Sequence, residues 1–489
     1  MQKQKDNSIL KQKTFSGIMW KFFEKSSMQL ISIIVQIVLA RLLLPSDYGI
    51  IGYLMLFINL SEVFIQQGFT TALIQKKNAD ELDYSSVFFA NLIMSVVIYV
   101  IFFFLAPFVA WFYDEPKLIV TMRILSINVI IGAFSAVHNA IMAKNLEFKK
   151  SFIRGLAYII SYGVSGILLA YFGFGVWSLI ISRLFGLSVG AIVLWVTVKW
   201  KPSLHMSTQR LRVLFGYSSK VLGSNLLNTV YNNINPLIIG KFYESEDLGY
   251  YQRGQNIPIS IMTAVDGSMN EVMYPTFSKL QDNTLALKSA LRRSMRLSLY
   301  IILPFLIGLF VTAKPLTLLL LTEKWLTSVP YMQLTCIICM FWPLTARTHA
   351  LNAMGKSGLT FKLSIISKII SLALILIMAK FGVTMIMIGN IIASTINFFI
   401  TSMIMSSHLN YSLIEITKDI LPQIMLSAFM GAIVYCVQFL GFSSLITLLI
   451  QIPVGVFVYI ALSKLFHIDS FDYLLSTIKG IFGKKKKES

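Results

Sequence analysis

Ionisable and amide side chains recur at helical spacing inside stretches that are otherwise apolar. Lys25, Gln29, Ser32 and Gln36 follow steps of four, three and four residues, which puts them on one helix face. Asn59, Glu62 and Gln66 share a face in the next stretch. Asn225, Asn228, Asn232 and Asn235 repeat the pattern later, followed by Asn256, Ser260, Thr263, Gly267 and Asn270 with Arg253, Asp266 and Glu271 beside them. Such groups are costly in hydrocarbon and belong on a protein interior or in a wet cavity. Two readings stand: the amides join helices to one another, or they line a hydrophilic path. Their recurrence in corresponding helices favours the path.

Cations point to the cargo. Arg41, Arg123, Arg154, Arg183, Arg296, Arg347 and Lys368 lie in or near apolar stretches; Arg154 and Arg296 are close enough to helix ends to snorkel, whereas Arg347 and Lys368 are deeper. A guanidinium fork matches phosphate oxygens bidentately, so the expected substrate is an anion bearing phosphate. The candidate substrate-binding residues are Lys25, Gln29, Arg41, Asn59, Asn225, Asn228, Asn232, Arg253, Asn256, Arg347 and Lys368. Glu62, Asp266 and Glu271 are candidates for coupling to protons or sodium, because a partly desolvated carboxylate can pick up a proton during a cycle. The other reading is that each acid neutralises a neighbouring cation. No catalytic residue, cofactor or metal is expected. Cys336 and Cys339 form a single C-x-x-C with no second Cys or His pair nearby, and with Cys436 they read as packing residues.

The elements that must carry these residues follow from composition. Of 489 residues, 56% are hydrophobic and 13% charged, too little charge to cover several soluble domains. The net charge of +20 would suggest nucleic acid in a soluble protein; here the placement of the charges matters more. Apolar runs fall at 16–43, 48–75, 85–112, 118–143, 151–171, 175–198, 213–240, 248–276, 294–313, 328–354, 358–379, 383–406, 420–440 and 443–466. The expected fold is an all-α polytopic membrane protein of about 14 transmembrane helices. Alternate loops are rich in Lys and Arg (Lys76, Lys77, Lys144, Lys149, Lys150, Lys199, Arg210, Lys288, Arg292), while the opposite loops carry Asp47, Asp114, Glu115, Glu244 and Asp247. By the positive-inside rule both termini are expected in the cytoplasm. The first apolar run is too long for a cleavable signal sequence.

A duplication organises the helices. Ala40-Arg41-(x)5-Asp47-Tyr48-Gly49 and Gly240-Lys241-(x)5-Asp247-Leu248-Gly249 align at an offset of 200 residues. Two six-helix lobes related by a parallel repeat are therefore expected at 1–205 and 206–410, with two extra helices at 411–466. A basic amphipathic tail at 467–489 is expected to lie on the cytoplasmic lipid surface.

The segment Leu39-Ala-Arg-Leu-Leu-Leu-Pro-Ser-Asp-Tyr-Gly-Ile-Ile-Gly52, together with Gly68-Phe-Thr-Thr-Ala-Leu-Ile-Gln-Lys76, Leu248-Gly-Tyr-Tyr-Gln-Arg253 and Pro275-Thr-Phe-Ser-Lys-Leu-Gln-Asp282, resembles the polysaccharide-transport family of flippases. That family includes the O-antigen, colanic-acid and teichuronic-acid type exporters of the multidrug/oligosaccharidyl-lipid/polysaccharide superfamily. The resemblance implies transport of undecaprenyl-diphosphate-linked oligosaccharide across the bacterial inner membrane by alternating access, with membrane lipids and other polysaccharide-assembly proteins as partners and no nucleic acid. A multidrug exporter of the same superfamily and a membrane glycan polymerase are the alternatives. The polymerase is disfavoured because the longest outer loop, 314–327, is too short for a catalytic domain.

Overall fold

The computed structural model describes residues 27–145 and 147–476, and among them every regular element is helical. Eleven helical stretches are long and apolar enough to cross a bilayer, and Ser27–Leu42 adds a shorter apolar helix. The runs expected at 213–240 and 248–276 are helical too, but their amides and charges keep them outside that criterion. They are the elements the sequence marks as lining a path. The chain is a multi-pass membrane protein, and its outward surface suits lipid: Phe104, Trp111, Phe429 and Phe457 are all exposed.

Two compact units, Met1–Gly249 and Tyr250–Ser489, divide the chain. The first holds α1 (Ser27–Leu42), α2 (Pro45–Gln67), α3 (Phe69–Gln75), α4 (Glu81–Tyr113), α5 (Lys117–Leu125), α6 (Ile127–Lys144), α7 (Phe148–Tyr171), α8 (Val176–Thr197), α9 (Thr208–Asn232) and α10 (Ile234–Phe242). Small residues let these helices close on one another without a hydrophobic driving force between them. A Cβ at Gly186 would sit 3.1 Å from the Tyr158 carbonyl oxygen, and one at Gly163 2.5 Å from Val35, so α7 packs tightly on α8 and α1. Proline occupies the first turn of α2, where its missing N–H costs nothing, and the Asp47 carboxylate accepts from the Leu44 N–H at 3.0 Å. The α7–α8 turn needs positive φ at Gly173 (79°) and Gly175 (53°).

At the acid-rich end the repeat motif takes physical form. Helix α11 (Ser245–Lys279) begins in the first unit, and its start crosses the start of α2. A Cβ on Gly49 would lie 1.6 Å from the Ser245 carbonyl oxygen, and a Cβ on Gly249 would lie 2.0 Å from the Pro45 carbonyl oxygen. Positions 45 and 245, and 49 and 249, are the pairs that the 200-residue offset equates, so the contact is reciprocal. Only glycine fits at either crossing.

At the Lys- and Arg-rich end a strap, residues 198–208, lies over the start of α4. Trp200 donates its indole N–H to Glu81 at 2.8 Å, Ser203 donates N–H and hydroxyl to Ser85 Oγ at 2.9 Å, and Ser207 donates its N–H to Ser86 at 2.9 Å. Arg210 then pairs with Asp80 at 2.7 Å and Asp83 at 3.1 Å. The Asp83 N–H and the Arg210 guanidinium hold the Asp80 carboxyl below the usual carboxylate range. Beneath the strap, Phe69, Leu73, Phe88, Val137, Leu194 and Trp200 form one buried cluster.

The second unit continues α11 and adds α12 (Thr284–Leu320), α13 (Ser328–Cys339), α14 (Ala346–Ala353), α15 (Ser357–Met378), α16 (Val383–Leu409), α17 (Leu413–Cys436) and α18 (Ser444–Leu465). The described part of the tail is helical over 469–476 and is labelled α19. Phe277, Leu291, Met295, Leu303, Leu351 and Tyr411 share its largest core. Cys336 and Cys339 are buried thiols packed with Met262 and Leu306, as expected of packing residues, whereas Cys436, expected to pack as well, is exposed at the end of α17.

Candidate functional site: a charged cavity in the first unit

Within the first unit, α2, α6, α7 and α8 enclose a cavity of about 450 Å³. Glu62 and Gln66 come from α2, Asn128, Ser135 and Asn139 from α6, Arg154 and Tyr158 from α7, and Arg183 from α8. Glycines make room for it. Gly132 of α6 approaches the Ile65 side chain, and Gly190 of α8 passes within ordinary contact of Tyr158 and Arg154, so bulkier residues there would fill the space or spread its walls.

The electrostatics centre on one ion pair. Arg183 donates through Nη2 to Glu62 Oε1 at 2.9 Å, with both side chains partly accessible from the cavity. Among the described residues the buried Arg183 Nε has no hydrogen-bond partner. Arg154 donates to the Asn139 side-chain oxygen in a short contact. The wall is otherwise dipolar: Thr70 donates to the Ile65 carbonyl at 2.8 Å and accepts from Asn91 at 3.3 Å. Two guanidiniums and one carboxylate leave the cavity net positive. An arginine at membrane depth costs about 2.5–3.5 kcal/mol on insertion scales, so Glu62 has an evident neutralising role, and whatever binds Arg183 must compete with it.

The expected site residues are dispersed. Glu62 lines the cavity, and Asn59, one turn earlier on α2, donates to Asn233 at 3.1 Å, tying α2 to the α9–α10 junction. Gln29, Arg41, Asn228 and Asn232 are exposed and Asn225 is half-buried. In the second unit Arg253 is buried with its guanidinium 5.8 Å from the Trp325 ring centre, Asn256 is exposed and Lys368 half-buried. Arg347 is buried and already committed: it donates to the Leu344 carbonyl at 3.0 Å, the Phe398 carbonyl at 3.3 Å and Ser402 Oγ at 2.6 Å. It borders a smaller cavity of about 160 Å³ with Asn397 and Thr345. Lys25 and the side chains of Asp266 and Glu271 lie outside the described residues.

Two arginines differ from their expected surroundings. Arg154 turns to Asn139 and the cavity, and Arg296 pairs with Asp419 and Asp469 instead of reaching for headgroups. Asn128, Ser135, Asn139, Arg154, Tyr158 and Arg183 are polar cavity residues that the amide pattern passes over. The step of four from Arg154 to Tyr158 was the available signal, since a cation and a phenol share a face there.

Comparison with known proteins places this geometry in a family. The family model described as polysaccharide biosynthesis protein matches residues 38–330. The chain is 24% identical over 358 residues to the teichuronic acid biosynthesis protein TuaB of Bacillus subtilis (strain 168), covering 72% of this chain and 74% of that one. It is 21% identical to the lipopolysaccharide biosynthesis protein WzxC of Escherichia coli (strain K12), covering 81% of each. Its fold is similar to that of the lipid II flippase MurJ in an inward closed conformation, with a TM-score of 0.74 at 17% identity over 92% of this chain and 99% of that one. Because the family match extends over more than half of the sequence and takes in every wall of the cavity, the chain belongs to the polysaccharide biosynthesis protein family.

Proposed function

We propose that this protein is a flippase that carries a polyprenyl-diphosphate-linked oligosaccharide from the cytoplasmic to the outer leaflet of the bacterial inner membrane during surface polysaccharide synthesis. The observation that carries the reading is the net-positive, arginine-lined cavity inside a helical membrane unit, in a chain of a polysaccharide biosynthesis family. No bond is made or broken. The work is to move a charged, hydrated head past hydrocarbon while its tail stays in lipid, and a polar route that opens alternately to either side does that.

Cations hold the diphosphate and amides hold the glycan in this reading. Arg183 releases Glu62 when phosphate oxygens arrive, because a diphosphate brings more negative charge and more acceptors than the single carboxylate contact it displaces. The freed Glu62 then takes up a proton or sodium ion, which couples the cycle to a gradient. Arg253 and Lys368 are the anion-binding candidates of the second unit. The Lys- and Arg-rich end, with both termini, faces the cytoplasm.

Deleting the gene in its host should deplete surface polysaccharide while lipid-linked oligosaccharide accumulates in the cytoplasmic leaflet; normal export would overturn the reading. Extrusion of cationic drugs by vesicles containing the protein would favour a multidrug exporter. Glycosyl transfer by the purified protein would favour a polymerase.

A further inference from the structure

Helix α12 is longer than a bilayer needs. Its 37 residues extend about 55 Å at ~1.5 Å per residue, against roughly 30 Å of hydrocarbon. The surplus lies at its N-terminal end, where Lys288, Arg292, Arg293 and Arg296 recur at helical spacing and line a cavity of about 610 Å³. Asp469, Ser470 and Tyr473 of α19 close the other side. Three carboxylates already share these cations. Lys288 pairs with Glu415 at 2.8 Å, Arg292 with Asp419 at 2.7 Å, and Arg296 with both Asp419 and, at 3.3 Å, Asp469. Asp419 is buried and also accepts the Tyr411 hydroxyl at 2.6 Å, so its arginines are fixed.

Arg293 differs. It is exposed, takes part in none of the described ion pairs, and its guanidinium lies 5.5 Å from the centre of the Tyr473 ring. Four cations face three carboxylates, and Asp469 stands on the rim with its side chain 86% exposed. One positive charge with free donors remains in a roomy pocket beside the N-terminal surplus of α12.

An apolar groove follows on the next turns of the same helix. Pro304, Phe305 and Gly308 of α12 and Gly455 of α18 line a cavity of about 650 Å³ whose wall is completed by Phe471 and Leu474 of α19. The short α19 thus serves both spaces, presenting Asp469, Ser470 and Tyr473 to the basic one and Phe471 and Leu474 to the apolar one. A cationic pocket at the interface that leads along one helix into a dry groove matches an amphiphile with an anionic head.

We propose that α12, α17, α18 and α19 form a binding site for an anionic membrane phospholipid, with Arg293 holding the phosphodiester and an acyl chain lying in the groove over Gly308. A guanidinium free of carboxylate partners suits phosphate oxygens. A zwitterionic lipid would bring an ammonium into a pocket that already has a cationic surplus. The site is separate from the cavity of the first unit and does not depend on the transport reading.

The test is native mass spectrometry of the purified full-length protein, delipidated and then given equal amounts of dioleoyl phosphatidylglycerol and dioleoyl phosphatidylcholine. Phosphatidylglycerol is expected to be retained in preference. Arg293→Glu, and Arg293→Gln as the milder variant, should each cut that preference about tenfold, which is roughly 1.4 kcal/mol of affinity. Gly308→Phe, whose Cβ would meet nothing within 4 Å, should fill the groove and lower retention of both long-chain lipids. Dihexanoyl phosphatidylglycerol, which has the head without the long chains, should be held more weakly. Equal retention of the two dioleoyl lipids, or a preference unchanged by both Arg293 variants, would overturn the site. Preferential retention of undecaprenyl phosphate over phosphatidylglycerol would overturn it too, by assigning the pocket to a polyprenyl lipid.

Discussion

At the scale of single residues, the account turns on Glu62 and Arg183, 121 positions apart in sequence and 2.9 Å apart in space. Removing the carboxylate alone leaves two guanidiniums in the cavity with no carboxylate beside them, whereas removing both partners leaves Arg154 as its one charge. Glu62→Ala should therefore lower the melting temperature in detergent more than the Glu62→Ala/Arg183→Ala double variant does. A double variant at least as unstable as Glu62→Ala would mean that the two charges do not interact. The penalty should stay below that of a fully buried pair, because both groups reach the cavity. Arg347 carries a stability prediction. Because three N–H donors of the buried Arg347 hold two carbonyls and Ser402, Arg347→Ala should reduce the amount of protein in the membrane. Arg253→Ala and Lys368→Ala should reduce surface polysaccharide while immunoblots show unchanged protein. Normal export in both would remove the cation clamp from the mechanism. None of these distinctions was legible from residue type: an arginine in an apolar run looks the same whether it faces a cavity, a carbonyl or a carboxylate.

At the scale of elements, the contact between the starts of α2 and α11 carries the clearest prediction. Gly49→Ala and Gly249→Ala would each drive a methyl group into a backbone carbonyl, at 1.6 and 2.0 Å, where no rotamer change can relieve the clash. Each should lower membrane abundance severely, and full abundance of both variants would show that the helices do not cross this closely. The strap over α4 makes a pH prediction. The Asp80 carboxyl is held below its usual range, so its contribution is present above the unfolded value of ~3.9 and fades only as pH falls through a lower one. Protection of the strap from proteolysis should accordingly stay constant from pH 8 to pH 5, and Arg210→Ala should weaken it across that whole interval. A loss of protection between pH 8 and pH 5 in the unaltered protein would contradict this. The sequence showed much at this scale. Its apolar runs locate the long helices, and the 200-residue offset pointed to the very glycines that meet. It did not show the breaks at Gly68 and Asn233, or the 3₁₀ turn Trp342–Thr345, because they depend on packing more than on composition. Its apolar runs at 213–240 and 248–276 also marked α9 to α11, although amides and charges lower the average hydropathy of α9 and α11.

At the scale of the whole molecule, a charged cavity within an apolar helical exterior suits the proposed task of passing an anionic head across oil. The fold class was readable because lipid imposes a composition no soluble chain shares. The cavity was only half readable. Its α2 residues Glu62 and Gln66 stood out, while its arginines on α7 and α8 became functional candidates only once the helices were packed. The most direct test places the purified protein in proteoliposomes with a fluorescent polyprenyl-diphosphate oligosaccharide and follows, by membrane-impermeant quenching, how fast inner-leaflet label becomes accessible. The unaltered protein should expose the inner pool under an imposed proton or sodium gradient, and Glu62→Gln should slow this roughly tenfold or more with the protein still folded. Label that stays protected with the unaltered protein under both gradients, or that crosses equally fast in protein-free vesicles, would contradict the account.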